Sequence, residues 1–191
     1  MAGRARLAAA AALIWTASAM GSIAHYLPDR ARLQFAGSQG FLSAGAGYGF
    51  LKERIDEDFM YGYLPAKIGG ISVHTLSAKT TIAPLQLKLA RGTYLYPVMA
   101  GVSAIVALGD DYFLVLPSRY QDYYWPSALH LWYFAGMRFR KNFTSGAPAG
   151  KAMGFIAELG AIDTYWRADH RNQDLNLPQI LSMSLSAQFF Y

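Results

Sequence analysis

Residues 181–191 read LSMSLSAQFFY, and this stretch decides the fold class because its apolar and polar side chains alternate. Every second position from Leu181 to Tyr191 is apolar, whereas serine or Gln188 occupies the positions between them as far as residue 188. Successive side chains of a strand point to opposite faces, while a helix would scatter the serines around its circumference. The segment therefore predicts a strand with one apolar face and one small, polar face.

The same period of two recurs in residues 42–50, 129–140 and 152–165. The more polar face of these segments carries glycine and serine with an occasional charge, rather than the long Lys and Glu side chains of a solvated sheet. Small inward residues suit the narrow lumen of a barrel of eight strands. The apolar faces carry aromatic residues near their ends, which is typical of the aromatic girdles of an outer-membrane barrel.

The composition agrees with an outer surface that does not face water. The chain has 191 residues, of which 53% are hydrophobic and 15% are charged, whereas a soluble domain carries about 25% charged residues. This excludes intrinsic disorder, which needs low hydrophobicity and high charge. The absence of cysteine excludes disulfide scaffolds, thiolate zinc sites and cysteine nucleophiles. The net charge of +5 is small and scattered, so no nucleic-acid partner is predicted.

The N-terminal residues indicate export. Arg4 and Arg6 precede a short apolar stretch at 7–15, and Ala17-Ser18-Ala19 supplies the small residues that signal peptidase requires. We therefore expect residues 1–19 to be a cleaved signal peptide and residues 20–191 to form the barrel domain. The alternative is a retained N-terminal anchor.

The alternating segments and their connections give the number of strands. Seven strands are predicted, at 41–51, 56–64, 71–83, 93–108, 128–140, 152–165 and 178–190. Outer-membrane barrels of bacteria have an even number of strands, so we expect an eighth before Gly40, with Arg32–Ala36 as the best candidate. The predicted fold is all-β, a single closed antiparallel up-and-down transmembrane β-barrel of eight strands. A single-span protein with a helix between Gly92 and Gly109 is the rival, because that stretch is uncharged and about as long as a membrane helix.

The connections divide into short turns and longer loops. Turns are predicted at Lys52–Arg54, at Lys88–Arg91 and at 141–151, and loops at Leu64–Gly70, Gly109–Ser127 and Arg167–Leu177. With the C-terminus in the periplasm, the longer loops would be extracellular. The loop at 109–127 carries aromatic residues that suit surface binding or anchoring at lipopolysaccharide: Tyr112, Tyr120, Tyr123, Tyr124 and Trp125.

The chain resembles the small outer-membrane β-barrel proteins of Gram-negative bacteria, in the broad group of OmpA-like and OmpX-like barrels. The resemblance covers most of residues 32–191 and rests on the architecture and on the last strand. Its ending, Phe189-Phe190-Tyr191, resembles the terminal aromatic signal that the outer-membrane assembly machinery reads. The segment Tyr61–Pro65, with Gly69-Gly70 and His74-Thr75, also resembles uncharacterised barrels. The implied location is the outer membrane, and the implied partners are outer-membrane lipid, lipopolysaccharide and the assembly machinery.

Two histidines could belong to a catalytic set. His130 shares its predicted face with Glu158 and follows Ser127, so an acid could orient a histidine that activates a serine. The outer-membrane lipid A deacylases are small barrels that use Ser, His and Glu, but they place Ser and His two residues apart on one strand face. Ser72 and His74 have that spacing, although no acid is predicted beside them.

Four charged residues lie at or near predicted inward positions: Lys79, Arg138, Arg140 and Glu158. Buried charges must pair, so we expect a Glu158–Arg138 salt bridge, with Lys79 nearby, that plugs the lumen. The cluster Asp56-Glu57-Asp58 is predicted to be a solvated strand end rather than a metal site. No phosphate loop, paired-histidine motif or calcium loop is present, so no cofactor and no metal are predicted.

The function expected from these observations is non-catalytic, that of a structural or surface-binding barrel. The alternatives are a lipid A-modifying enzyme that uses His74 or His130, and a narrow pore.

Overall fold

The computed structural model describes residues 27–109, 112, 128–143, 151–164 and 180–191. The predicted signal peptide at 1–19 and most of the two longest loops lie outside these residues. The strands are β1 (Arg30–Ala36), β2 (Leu42–Phe50), β3 (Ile55–Leu64), β4 (Val73–Ile82), β5 (Leu87–Ala90), β6 (Thr93–Leu108), β7 (Leu129–Asn142), β8 (Ala152–Ile162) and β9 (Leu181–Phe190). One short helix, α1 (Ala66–Gly69), interrupts the predicted loop at 64–70.

Eight of these strands close into an antiparallel barrel, as the alternating pattern predicts. β1 pairs with both β2 and β9, and β4 pairs with β6, so the ring runs β1-β2-β3-β4-β6-β7-β8-β9 and returns to β1. The inferred eighth strand is β1, which begins at Arg30 rather than Arg32. The strands run up and down, so the barrel has one end where β1 starts and β9 finishes, the terminal end, and an opposite loop end.

The turn predicted at Lys88–Arg91 is a strand for most of its length. β5 pairs with β6 from Leu87 opposite Leu95 to Ala90 opposite Thr93, beyond the point where β4 stops pairing with β6. β4 and β5 are separated by residues 83–86, which contain Pro84. Proline has no backbone N–H to donate to a ladder, so the pairing stops there and resumes along the alternating Leu-Lys-Leu sequence. β5 therefore extends one side of the barrel at the terminal end.

The uncharged stretch from Gly92 to Gly109 forms the long strand β6, so the predicted rival helix is wrong for this segment. Within the described ranges, none of the helices has the length and the hydropathy to cross a membrane.

The two faces of the barrel wall are inverted relative to a soluble protein. On β9, Leu181, Met183 and Leu185 are 40%, 56% and 48% exposed, whereas Ser184 and Gln188 are 1% and 0% exposed. The other seven strands of the closed ring follow this arrangement, so the outside of the wall is apolar and the inside holds most of the buried polar groups, whereas all four residues of β5 are exposed.

Candidate functional site

The lumen holds a cluster of buried charges, which we call the lumen charge cluster. β1 and β3 supply two residues each, and β4, β7 and β8 supply one each. Its members are between 0% and 2% exposed: Arg30, Arg32, Asp56, Asp58, Lys79, Arg138 and Glu158. These seven side chains therefore meet one another rather than solvent.

Glu158 is the most heavily bonded carboxylate of the lumen charge cluster. Arg32 Nη2 donates to Glu158 Oε1 at 2.9 Å, and Lys79 Nζ donates to Glu158 Oε2 at 2.5 Å. The hydroxyl of Ser184 donates to the same carboxylate at 2.7 Å. Lys79 also donates to the side-chain oxygen of Gln34 at 3.0 Å, so this half of the cluster joins β1, β4, β8 and β9.

The two aspartates of β3 form ion pairs with the arginines of β1 and β7. Arg30 donates to Asp58 at 2.9 Å and to Asp56 at 3.0 Å, and Arg32 donates to Asp58 at 2.9 Å. Arg138 pairs with Asp56. Asp58 therefore links the two halves of the cluster.

Two expectations about these charges are wrong. Arg138 pairs with Asp56 rather than with Glu158, because its guanidinium reaches across the lumen to β3 while Glu158 is taken by Arg32 and Lys79. The segment 56–58 is not a solvated strand end, because Asp56 and Asp58 face the lumen and are 2% and 0% exposed.

Aromatic side chains cover the cluster toward the loop end. The ammonium of Lys79 lies 4.8 Å from the ring of Trp132 and 4.3 Å from the ring of Phe134, both within the range of cation–π contacts. Trp132 and Phe134 stack on each other, with ring centroids 4.8 Å apart. Together with Ile105 they form a buried apolar layer across this part of the lumen.

The turn between β1 and β2 inserts Gln39 above this layer. The side-chain Nε2 of Gln39 donates to Ser103 Oγ at 2.7 Å, and the backbone carbonyl oxygen of Gln39 accepts a hydrogen bond of 2.7 Å from the hydroxyl of Thr75. Gly62 permits this close approach, because a Cβ at that position would overlap the carbonyl oxygen of Gln39. Gln39 is fully buried, so the loop end of the lumen is filled.

The turn between β2 and β3 closes the terminal end. Leu51, Lys52 and Glu53 have φ angles of 51°, 60° and 63°, a left-handed conformation that costs roughly 1–2 kcal/mol per residue. The carbonyl oxygen of Glu53 accepts a hydrogen bond from Arg138 at 3.2 Å, and its carboxylate pairs with Arg140. A buried apolar cluster lies beneath this turn: Ala83, Tyr96, Met99 and Ile156.

Arg140 is the one predicted charge that lies at the mouth of the lumen rather than within the lumen charge cluster. Its guanidinium lies 4.1 Å from the ring centroid of Phe190, and its Nε donates to Asn142 at 2.9 Å. Beside it opens a cleft of about 270 Å³. The cleft is lined by Lys52, Glu53, Gln86, Tyr94, Arg140 and Asn142.

The candidate catalytic set around His130 is not assembled by the described residues. His130 Nδ1 lies 3.8 Å from Asp163 Oδ1, whereas Glu158 is opposite Gly136, six positions further along β7. Ser127 lies outside the described residues.

The pair Ser72 and His74 lies on the outside of the barrel, where both residues are exposed. His74 Nδ1 is 2.5 Å from the hydroxyl of Tyr61, and its ring centroid is 5.0 Å from that of Tyr63. Within the described part of the chain, no carboxylate lies within ion-pair distance of His74. The histidine therefore belongs to an aromatic cluster on the outer wall.

The predicted loop and terminal aromatics are described only in part. Tyr112 donates its backbone N–H to Gly109 at 3.2 Å, and the other four loop aromatics lie outside the described residues. At the C-terminus, Phe190 faces the lumen and is 5% exposed, while Tyr191 is 54% exposed.

No protein-family model matches the chain, and no curated protein matches it. The chain is similar to a protein in a solved structure, the crystal structure of Acinetobacter baumannii CarO. The two are 13% identical, 86% of this chain and 98% of that chain are covered, and the TM-score is 0.38. The closure of the barrel follows from the strand pairing itself, independently of this likeness.

Proposed function

We propose that this protein is an integral outer-membrane barrel with a structural or surface-binding role and a lumen that does not conduct. The observation that carries the proposal is the inverted distribution of polarity. Charged side chains such as Arg32 and Lys79 are buried, whereas Phe155 and Met137 are 55% and 54% exposed. In water such a surface would be an apolar patch much larger than monomeric proteins tolerate, while in a bilayer it meets hydrocarbon.

The filled lumen supports a role other than conduction. The four cations and three carboxylates of the lumen charge cluster pair with one another across the middle of the lumen. Gln39 and the ring of Trp132 occupy the loop end, and the turn at 51–54 covers the terminal end. An ion would have to break buried pairs to pass, and breaking such pairs costs several kcal/mol.

The proposed partners follow from the outer wall and from the last strand. The exposed aromatics of β3 and the cluster around His74 suit contact with lipid and lipopolysaccharide at the membrane boundary. The assembly machinery would read Phe189 and Phe190 of β9 together with Tyr191, which follows the strand. This strand closes the barrel by pairing with β1, so its recognition would precede closure.

Fractionation, gel mobility and bilayer recordings test this proposal together. We expect the full chain in the outer-membrane fraction of a Gram-negative host, with faster migration on gels before boiling than after it. In planar bilayers, purified barrels should give no single-channel steps. Recovery in the soluble fraction, or regular conductance steps that change when Arg138 is neutralised, would contradict the proposal.

A further inference from the structure

We propose that the cleft at the terminal end binds a small molecule that carries a carboxylate, which replaces the side chain of Glu53 on Arg140. This goes beyond the proposed structural role and concerns the end of the barrel opposite the long loops. The inference rests on the shape of the cleft, on its charge, and on the protein's own carboxylate that occupies it.

The cleft is small, and its lining is polar with an excess of positive charge. Its volume of about 270 Å³ is just below the range of roughly 300–1,000 Å³ that ligand pockets span. Lys52 and Arg140 provide two cations against the single carboxylate of Glu53, and Gln86, Asn142 and Tyr94 add polar groups. The resulting excess of positive charge favours an anion.

Arg140 is held in place by groups other than Glu53. Its guanidinium packs over the ring of Phe190, and its Nε bonds to Asn142. The side chain would therefore keep its position if Glu53 withdrew. Its planar donors match a carboxylate in two parallel hydrogen bonds, which is why a carboxylate is favoured over a single-point anion.

The side chain of Glu53 can leave Arg140 without loss of the sheet. The turn at 51–54 lies outside the ladder of β2 and β3, which ends at Phe50 opposite Ile55. The turn itself stays in place, because the backbone carbonyl oxygens of Glu53 and Arg54 accept hydrogen bonds from Arg138 and from the backbone N–H of Ala83. A ligand carboxylate therefore has to displace only the side chain of Glu53, whose carboxylate also accepts a hydrogen bond of 3.4 Å from the hydroxyl of Tyr96.

The neighbouring Arg138 does not serve the same ligand. Its side chain is fully buried and pairs with Asp56, whereas the side chain of Arg140 is 11% exposed and lines the cleft. The proposal thus assigns recognition to a single arginine, with Lys52 adding charge at the rim.

Calorimetric titration of the detergent-solubilised full barrel with glutarate tests this site. We expect Glu53→Gln to bind glutarate about two- to fivefold more tightly than the unaltered protein, because a partly exposed ion pair no longer competes. Arg140→Gln should weaken binding at least about tenfold, and Arg140→Lys should lose less because it keeps the charge. Lys141→Gln is the matched control, since Lys141 contacts Thr93 and Arg91 rather than lining the cleft.

Inorganic phosphate and the dication cadaverine are titrated as comparison ligands. Both should bind more weakly than glutarate. Heat-modifiable migration of each variant shows that the barrel is folded. The proposal fails if glutarate does not bind the folded Glu53→Gln barrel, if Arg140→Gln binds it as the unaltered protein does, or if phosphate binds more tightly than glutarate.

Discussion

Removal of the Glu158 carboxylate should destabilise the barrel more than any other single change in the lumen charge cluster. Glu158→Gln preserves the shape of the side chain but leaves Arg32 and Lys79 without their shared carboxylate. The cluster then holds four cations against two carboxylates instead of four against three. Breaking a buried ion pair by removal of one partner costs about 3–5 kcal/mol, and we expect a loss of that size in the free energy of unfolding.

Lys79→Met provides the comparison that isolates charge from packing. Met fills much of the space that the Lys79 side chain occupies against Trp132 and Phe134, and Glu158 keeps its hydrogen bonds from Arg32 and Ser184. The cluster becomes neutral, with three cations and three carboxylates. The expected loss is only about 1–2 kcal/mol, chiefly from Gln34, whose bond to Lys79 disappears.

The double variant completes a thermodynamic cycle. With Glu158→Gln and Lys79→Met combined, the cluster returns to an excess of one positive charge, as in the unaltered protein. The combined loss should be about 1–3 kcal/mol smaller than the sum of the single losses, the usual range for directly coupled residues. Lys151→Gln removes an exposed cation and should change stability by less than about 0.5 kcal/mol.

Urea titration of barrels folded into lipid vesicles measures these free energies by linear extrapolation. Tryptophan fluorescence reports unfolding, since Trp132 lies directly against Lys79. The reasoning is refuted if Glu158→Gln costs less than Lys79→Met, or if the two changes are additive. Either result would mean that the lumen is hydrated enough to solvate an unpaired cation.

Three further predictions address the wall, the loop end and the loops. Leu185→Lys places a charge in the middle of the apolar wall and should lower the free energy of unfolding in vesicles by about 2–4 kcal/mol. Gly62→Ala should displace Gln39 and cost about 2 kcal/mol for two lost hydrogen bonds, with faster backbone hydrogen exchange confined to residues 37–41. The last change replaces four loop aromatics by serine: Tyr120, Tyr123, Tyr124 and Trp125. It should reduce binding to lipopolysaccharide vesicles, while unfolding in urea stays unchanged.

The faces of the strands could be predicted because a strand has a period of two, so that every second residue lies on the same face. Ser184 and Ser186 therefore point inward in the structure as the alternation requires. β5 could not be predicted in the same way, because Pro84 and four exposed residues resemble a turn. Short strands that extend an existing hairpin carry little periodic signal of their own.

The partners within the lumen could be predicted only in part. The inward Arg30 and Arg32 alternate with Ala31 and Leu33, and the inward Asp56 and Asp58 alternate in the same way on β3, so the sequence does contain the signal for these four residues. Which arginine meets which carboxylate depends on the stagger of the strands and on side-chain length. Period alone cannot supply that information.

The lumen charge cluster specifies a unique pairing register of the strands, which the apolar wall alone does not. A slip of one residue would turn Arg32 to the apolar outer face, and the apolar pattern already forbids it. A slip of two residues keeps every side chain on its own face, so hydrophobicity does not oppose it. Such a slip of β8 would move Glu158 about 7 Å along the strand, which would leave Lys79 without its carboxylate and Arg32 with Asp58 alone. The buried charges therefore select one register among those that keep the apolar side chains on the outer face.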